Sequence, residues 1–156
     1  IKTAKLKKSD ILYDLYCGTG TIGIYLSKLV KEVYGIEIVE DAVEDAKYNA
    51  RINNIDNIKF YCRDLKDVLN NESIGKIKKP DVVIIDPPRP GLHPKAIKNL
   101  INLSPKKIIY VSCNPATMAR DIKILSNQKY LIKNLQPIDM FPHTPHIECI
   151  TTLILN

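Results

Sequence analysis

The sequence has 156 residues, 45% of them apolar and 26% charged, with a formal net charge of +6. That is one domain's length at roughly 100–200 residues per domain, and a domain of this size buries about 70% of the surface its unfolded chain exposes. The composition excludes disordered, collagen-like and disulfide-stapled chains, and no apolar run approaches the ~20 residues of a membrane span.

The opening Ile1-Lys2-Thr3-Ala4 is neither an initiator Met nor the start of a signal peptide, so the chain reads as a piece of a longer protein. Ile11–Leu15 is a short apolar run that ends at a Gly-rich turn, Cys17-Gly18-Thr19-Gly20. Ile22, Leu26, Leu29 and Val30 then recur at helical spacing, and Val33–Glu37 reads as a second strand. Val43, Ala46 and Ala50 mark a second helix that stops at Asn53-Asn54, and Ile58–Tyr61 is a third strand. A short amphipathic helix is expected near Leu65–Leu69, followed by a polar connector over Asn70–Lys79. Val82–Ile85 has the continuous apolar character of a fully buried strand. The loop Asp86–Pro90 precedes a helix around Lys95–Asn102, then a strand at Ile108–Val111 and a helix at Ala116–Leu125. Two strand-like runs, Tyr130–Asp139 and Ile147–Leu155, complete the chain.

Strands separated by single helices imply right-handed βαβ units, hence a parallel sheet with helices on both faces. The last two strands have no helix between them and must be antiparallel neighbours. The expected fold is α/β: a seven-stranded, mostly parallel sheet with a C-terminal antiparallel hairpin, one domain over residues 1–156. In open sheets of this kind ligands sit at the carboxyl ends of the strands. The Gly-rich turn, Glu37, Asp64, the Asp86 loop and Cys113 all fall at such ends.

Gly18-Thr19-Gly20-Thr21-Ile22-Gly23 matches G-x-G-x-x-G, and the acidic Glu37 ends the next strand, where it can grip ribose hydroxyls. Nicotinamide dehydrogenases and S-adenosylmethionine (SAM) methyltransferases share this layout. Three details favour SAM. Asp14, just before the turn, suits a cationic amino-acid moiety and would repel a pyrophosphate. Asp64 closes the third strand, where an acid can meet an adenine amino group. The terminal antiparallel pair is foreign to nicotinamide folds. Gly18 and Gly20 permit close backbone approach to the cofactor.

The four cysteines, Cys17, Cys62, Cys113 and Cys149, lie far apart without a C-x-x-C pair, which fits a reduced, cytoplasmic setting and speaks against a metal. His143 and His146 lack a third ligand at useful spacing. Charge is uneven: residues 1–78 carry a net +1 and residues 79–156 a net +5. That asymmetry hints at an anionic partner meeting the second half, although codon bias toward Lys explains it equally well.

Asp86-Pro87-Pro88-Arg89-Pro90-Gly91 follows a buried strand, with the prolines stiffening the loop so that Asp86 faces the cleft. Amino-group methyltransferases carry D/N-P-P followed by an aromatic residue, but Arg89 stands there instead. Cys113 ends a strand and opens a helix, whose N-terminal partial charge favours thiolate, and Arg120 further along adds to the positive field. Glu148 opens the last strand near the same rim. A thiolate, a carboxylate and a methyl donor together suit methylation of a pyrimidine carbon 5. Thiolate addition at carbon 6 makes carbon 5 nucleophilic, and a base then removes the carbon-5 proton.

Three blocks carry a resemblance: Asp86–Gly91, Val111–Asp121 and the segment Asp139–Glu148. Together with Asp14–Gly20 they resemble the RNA (uracil-5-)-methyltransferases, which include bacterial 23S rRNA and tRNA enzymes. The resemblance implies a SAM-dependent class I methyltransferase fold, with Cys113 aligned to the family nucleophile and Glu148 to its general base. Tyr16, Thr21, Glu37, Asp64 and Asp86 align with its SAM contacts. Asp86, Arg89 and Arg120 are the candidate contacts to the RNA. The tail motif is most similar to the 23S rRNA branch, with tRNA as the other RNA partner. The family's N-terminal β-barrel RNA-binding domain, a further insertion and the cysteines that hold an iron–sulfur cluster in some members have no counterpart in this sequence. The expectation is therefore a catalytic domain whose RNA-recognition parts lie elsewhere. Cytosine-C5 methylation, a nicotinamide oxidoreductase and a non-catalytic RNA-binding module remain the alternatives.

Overall fold

A computed structural model describes residues 4–65, 77–140 and 142–156. Within them the chain runs β1 (Ile11–Leu15), α1 (Thr21–Ser27), β2 (Glu32–Glu37), α2 (Glu40–Ile52), β3 (Ile58–Cys62), β4 (Val82–Ile85), α3 (Pro94–Leu103), β5 (Lys107–Ser112), α4 (Pro115–Gln128), β6 (Tyr130–Ile138) and β7 (Glu148–Leu155). The strands form one sheet in the order β3-β2-β1-β4-β5-β7-β6. β1 to β5 are parallel, whereas β7 runs antiparallel to both β5 and β6. The seven strands and the antiparallel pair match the expectation. The last two strands are neighbours, but β7 inserts between β5 and β6 instead of adding at the edge.

Side chains alternate across the sheet as a period of two requires. Tyr13, Leu15, Val83, Ile85, Ile108 and Tyr110 face Ile97 and Leu100 of α3 and Met118 and Leu125 of α4 in one buried cluster. Leu12, Val33, Ile84 and Ile109 face the other way, against Leu26 and Val30. β1 and β4 are buried along their whole length, which explains why both read as continuous apolar runs. β6 forms the sheet edge, is largely exposed and carries Pro137, a residue tolerated there because an edge strand has unused N–H positions.

Sequence periodicity carried the first helix to Val30, but α1 ends at Ser27. The Ser27 hydroxyl donates to the Ile24 carbonyl at 2.7 Å, and the Leu29 and Val30 amides reach back only three residues. These tighter turns end the helix while Val30 still packs on the sheet. Apart from Leu65, the short helix expected near Leu65–Leu69 lies outside the described residues, as does most of the following connector. No described helix is long and apolar enough to cross a membrane.

Strand order reverses direction between β1 and β4, since β1 connects onward to β2 on one side and β4 to β5 on the other. The crevice above such a switch point is where an open α/β sheet binds ligands.

Candidate active site

The turn between β1 and α1 is shaped by two glycines with different duties. Gly20 holds φ +82, and a Cβ there would sit 2.8 Å from the Phe60 ring on β3. Gly23 has ordinary helical geometry, but its Cβ would fall 2.8 Å from Asp14 Oδ2. Its bare face lets the Asp14 carboxylate slide under α1 and accept the Gly23 amide at 2.7 Å. Asp14 is 1% exposed, and its other oxygen, Oδ1, is buried without a hydrogen-bond partner among the described residues. Burial pushes the Asp14 carboxyl up to about 7; the Gly23 bond opposes the shift and the charge of Asp86 adds to it.

Glu37 ties the second strand tip to the turn. Its Oε2 accepts the Gly18 amide at 3.1 Å, and its Oε1 accepts the Ile38 and Val39 amides at 2.7 and 3.0 Å. Oε2 keeps one lone pair for a further donor. Beside it lies a cleft of ≈ 180 Å³ lined by Tyr16, Ile36, Glu37, Ile38, Arg63, Asp64 and Leu65. Tyr16 adopts φ +61 at the end of β1. Burial raises its phenol above the ordinary value, and the charges of Asp64, Asp121 and Glu37 raise it further. The structure thus brings together Tyr16, Glu37 and Asp64, three residues separated by up to 48 positions in the sequence. Thr21 lies elsewhere: with Thr19, Ile24, Tyr25, Lys28 and Asn49 it lines a separate groove of ≈ 380 Å³ along α1 and α2.

On the other side of the switch point, Asp86 stands at the tip of β4, its amide reaching the Leu15 carbonyl at 3.4 Å. Loss of solvent raises the Asp86 carboxyl above the ordinary range, and the charge of Glu148 adds to the effect. Asp14, Asp86 and Glu148 therefore form a row of electrostatically linked carboxylates across β1, β4 and β7.

The β5–β7 ladder ends with Ser112 opposite Cys149. Cys113 and Glu148 are the residues next beyond that pair, Cys113 leaving β5 and Glu148 opening β7, which brings both to the same rim. Cys113 is partly exposed, whereas Cys17 and Cys149 are buried; all four cysteines are free thiols. Burial pushes the Cys17 thiol well up, and Asp14 and Glu37 push it further, so Cys17 is unsuited to nucleophilic work. Directly after Cys113, Asn114 caps α4 by accepting the Ala116 amide at 3.1 Å, and Pro115 occupies the first helical position.

The loop after Asp86 is pinned to α4. Asn114 Nδ2 and Thr117 Oγ1 both donate to the Arg89 carbonyl at 3.1 Å. Arg120 Nη2 donates to the carbonyls of Pro90 and Leu92 at 2.9 and 3.4 Å. Its Nε and Nη2 also pair with Asp121 Oδ1 at 2.9 and 2.7 Å. Asp121, 0% exposed, takes the Leu92 amide and the Tyr110 hydroxyl on Oδ2, each at 2.7 Å. Arg89 itself is exposed at the rim. Sequence reading singled out Arg120 for its charge and passed over Asp121, Thr117 and Tyr110. Asn114-Pro115 was the available signal, being a helix-start signature directly after the cysteine.

Part of the positive charge of the second half lies away from this rim. Lys106 and Lys107 lie at the opposite end of the sheet, where they line a groove of ≈ 460 Å³ with Lys5, Lys7, Asp10 and Asp81. Among the described residues, no group of three or more His, Cys, Asp or Glu side chains is arranged to hold a metal ion.

A doubly wound sheet of this order, with a glycine turn at β1, acids at the tips of β2 and β3 and an antiparallel β7, defines the Rossmann-like class I methyltransferases. An rRNA methylase of Streptococcus thermophilus shares that fold at TM-score 0.73 and 15% identity, over 96% of this chain and 89% of the other. Residues 1–155 match the family model for tRNA (uracil-5-)-methyltransferases, and the chain belongs to that family. An uncharacterized RNA methyltransferase of Bacteroides thetaiotaomicron is 50% identical over 98% of this chain and 34% of its own length. The Pyrococcus abyssi tRNA (uracil-54, C5)-methyltransferase, solved with S-adenosyl-L-homocysteine, superposes with TM-score 0.83 at 42% identity, over 98% of this chain and 36% of the other. The chain spans about a third of the length of these two relatives.

Proposed function

We propose that this chain is the catalytic part of an enzyme that methylates carbon 5 of a uridine in structured RNA, with SAM as methyl donor. The observation that carries the reading is the end of the β5–β7 ladder, where Ser112 lies opposite Cys149 and Cys113 and Glu148 are the next residues at the strand-tip crevice. The alternatives of a nicotinamide enzyme or a passive RNA-binding module give that pair no task.

The residues present suit the cofactor. Asp14 offers a buried, unpartnered oxygen, and the row of Asp14, Asp86 and Glu148 favours a cationic guest. Tyr16, Glu37 and Asp64 supply a cleft with a ring face and two acids, a donor set for a nucleoside. SAM supplies an electrophilic methyl group when bound. Gly18, Gly20 and Thr21 shape the adjoining turn.

Cys113 Sγ adds to carbon 6 of the uracil, and the electron pair displaced from the 5,6 double bond makes carbon 5 nucleophilic. After carbon 5 has taken the methyl group, Glu148 accepts its proton, the double bond re-forms and the carbon–sulfur bond breaks, which returns the free thiolate. Addition occurs perpendicular to the ring, so the base has to leave its stack. Asp86 and Arg89, at the same rim, bind the extruded base and its flanking phosphate in this reading.

The segment Asp139–Glu148 supports 23S rRNA as the substrate. The likeness to the Pyrococcus abyssi enzyme favours tRNA as a second reading. The experiment is to incubate the full-length protein with SAM and separate unmodified 23S rRNA and tRNA transcripts, then map methylated uridines by mass spectrometry. Methylation of neither RNA would refute the function, and methylation of only one decides the substrate.

A further inference from the structure

Asp121 is a fully buried carboxylate at a position where an apolar side chain would serve to pack α4 on β5. Taking such a charge out of water costs several kcal/mol unless it is paired and hydrogen-bonded. Its partners come from three separate elements: the Tyr110 hydroxyl on β5, the Leu92 amide in the loop, and the Arg120 guanidinium on α4 itself. Burial and the Asp121 charge both hold the Tyr110 phenol in its protonated, donating form. Arg120 then passes the connection on to the carbonyls of Pro90 and Leu92. Asn114 and Thr117, one turn or less after Cys113, take the Arg89 carbonyl. The loop backbone rests directly on this brace: a Cβ at Gly91, where φ is +78, would lie 2.6 Å from Asp121 Oδ2 and 2.7 Å from Arg120 Nη2.

We propose that Asp121 and Arg120 are positioning residues that lock the Asp86–Leu92 loop to the Cys113 helix start, so that the groups binding the uracil and the thiol that attacks it move as one body. The inference rests on the uracil-methylation reading for its chemical consequence. It also reassigns Arg120: its guanidinium is committed to Asp121, Pro90 and Leu92, and Arg89 is left as the arginine that meets RNA. With Asp86 still held at the tip of β4 by the Leu15 carbonyl, and the nucleoside cleft at β1, β2 and β3 untouched, a chain with a loose Pro87–Leu92 stretch would still bind the cofactor but would present the base to Cys113 in the wrong place. Misplacement by about 1 Å costs on the order of a hundredfold in rate.

The test uses the full-length protein and the variants Arg120→Met, Arg120→Lys and Asp121→Asn. Three quantities are measured: S-adenosylhomocysteine affinity by calorimetry, the rate of covalent trapping on 5-fluorouridine RNA, and amide exchange of residues 86–92 and 112–118. Arg120→Met and Asp121→Asn should slow trapping about tenfold to a hundredfold while S-adenosylhomocysteine affinity stays within about twofold. Arg120→Lys, which keeps one charged donor, should recover part of the rate. Both exchange segments should loosen together in Arg120→Met, a change that does not depend on the reaction. If Asp121→Asn fails to fold, Arg120→Met decides the matter, since its side chain is 52% exposed. Trapping at the wild-type rate, affinity lost in step with trapping, or loosening of the loop alone would each overturn the brace. A wild-type protein that traps no RNA but shows coupled exchange would refute the uracil reading and leave the mechanical coupling standing.

Discussion

Asp14 lies beneath α1 with one carboxylate oxygen on the Gly23 amide at 2.7 Å and the other buried without a partner. The arrangement is unfavourable by itself, because half of a buried acid goes unsatisfied. Its cost becomes useful when a cationic group arrives.

The titration of Asp14 follows from that burial. Its carboxyl moves from an ordinary 3.8 to about 7 in the folded chain. Between those values the folded state holds a proton that the unfolded state has released, so this group's contribution to stability falls as pH rises from 3.8 to about 7 and is level above. Thermal unfolding across that range should show the decline in the wild type and a flatter profile in Asp14→Asn. SAM binding, which favours the ionised carboxylate, should strengthen as pH rises through 7 and release a proton. Calorimetry in buffers of different ionisation enthalpy reads that release.

Gly23→Ala opposes two effects. Alanine favours a helix interior over glycine by about 1 kcal/mol. Here its Cβ would crowd Asp14 Oδ2 at 2.8 Å and pull the carboxylate off the amide, leaving a buried charge and a donor unpaired at a cost of about 1–3 kcal/mol. The second effect wins, so urea unfolding should show net destabilisation together with weaker cofactor binding.

Cys113→Ala should abolish covalent trapping of 5-fluorouridine RNA and methylation alike, while leaving S-adenosylhomocysteine affinity unchanged. Continued trapping would move the nucleophile elsewhere.

Glu148→Gln separates the two halves of the proposed reaction. Addition and methyl transfer should proceed and release should stall, so that an adduct between Cys113 and ordinary uridine RNA accumulates and is visible on denaturing gels. Turnover at the wild-type rate would remove Glu148 as the base.

Asn114→Ala should cost about 1 kcal/mol through the lost helix cap. It should also slow trapping, because Asn114 Nδ2 holds the Arg89 carbonyl. A variant that loses stability without losing rate would show the cap to be purely structural.

The sheet was legible because β1 and β4 are buried on both faces and so read as unbroken apolar runs, while β2, β3 and β5 end in residues with chemistry to offer. That β6 and β7 are neighbours was legible from the missing helix between them. The insertion of β7 beside β5 was not, since strand order depends on which edge an antiparallel strand pairs with, and periodicity carries no such information. Asp14, Glu37 and Asp64 stand out in the sequence as candidate cofactor acids because turn and strand-tip chemistry is local. Thr21 was aligned with the same site but faces another groove, a matter of where the first turn of α1 points. Arg120 showed its charge in the sequence but not its partner, because Asp121 is adjacent and its burial arises only when α4 docks on Tyr110. The charge asymmetry along the chain does not by itself locate charge in space, since parallel strands put their first residues, such as Lys107, at the far end of the sheet from their tips.

The insertion of β7 between β5 and β6 sets an order of events during synthesis. β6 leaves the ribosome before β7 but can enter the sheet only with it, because among the described strands its neighbour is β7 alone. A nascent chain that has emerged as far as α4 already carries the residues of the glycine turn and of the nucleoside cleft. It lacks Glu148, the proposed base. On the proposed mechanism the thiol therefore gains its base only at the end of synthesis, and a chain cut short before β7 would carry the candidate cofactor residues without the proposed reaction centre.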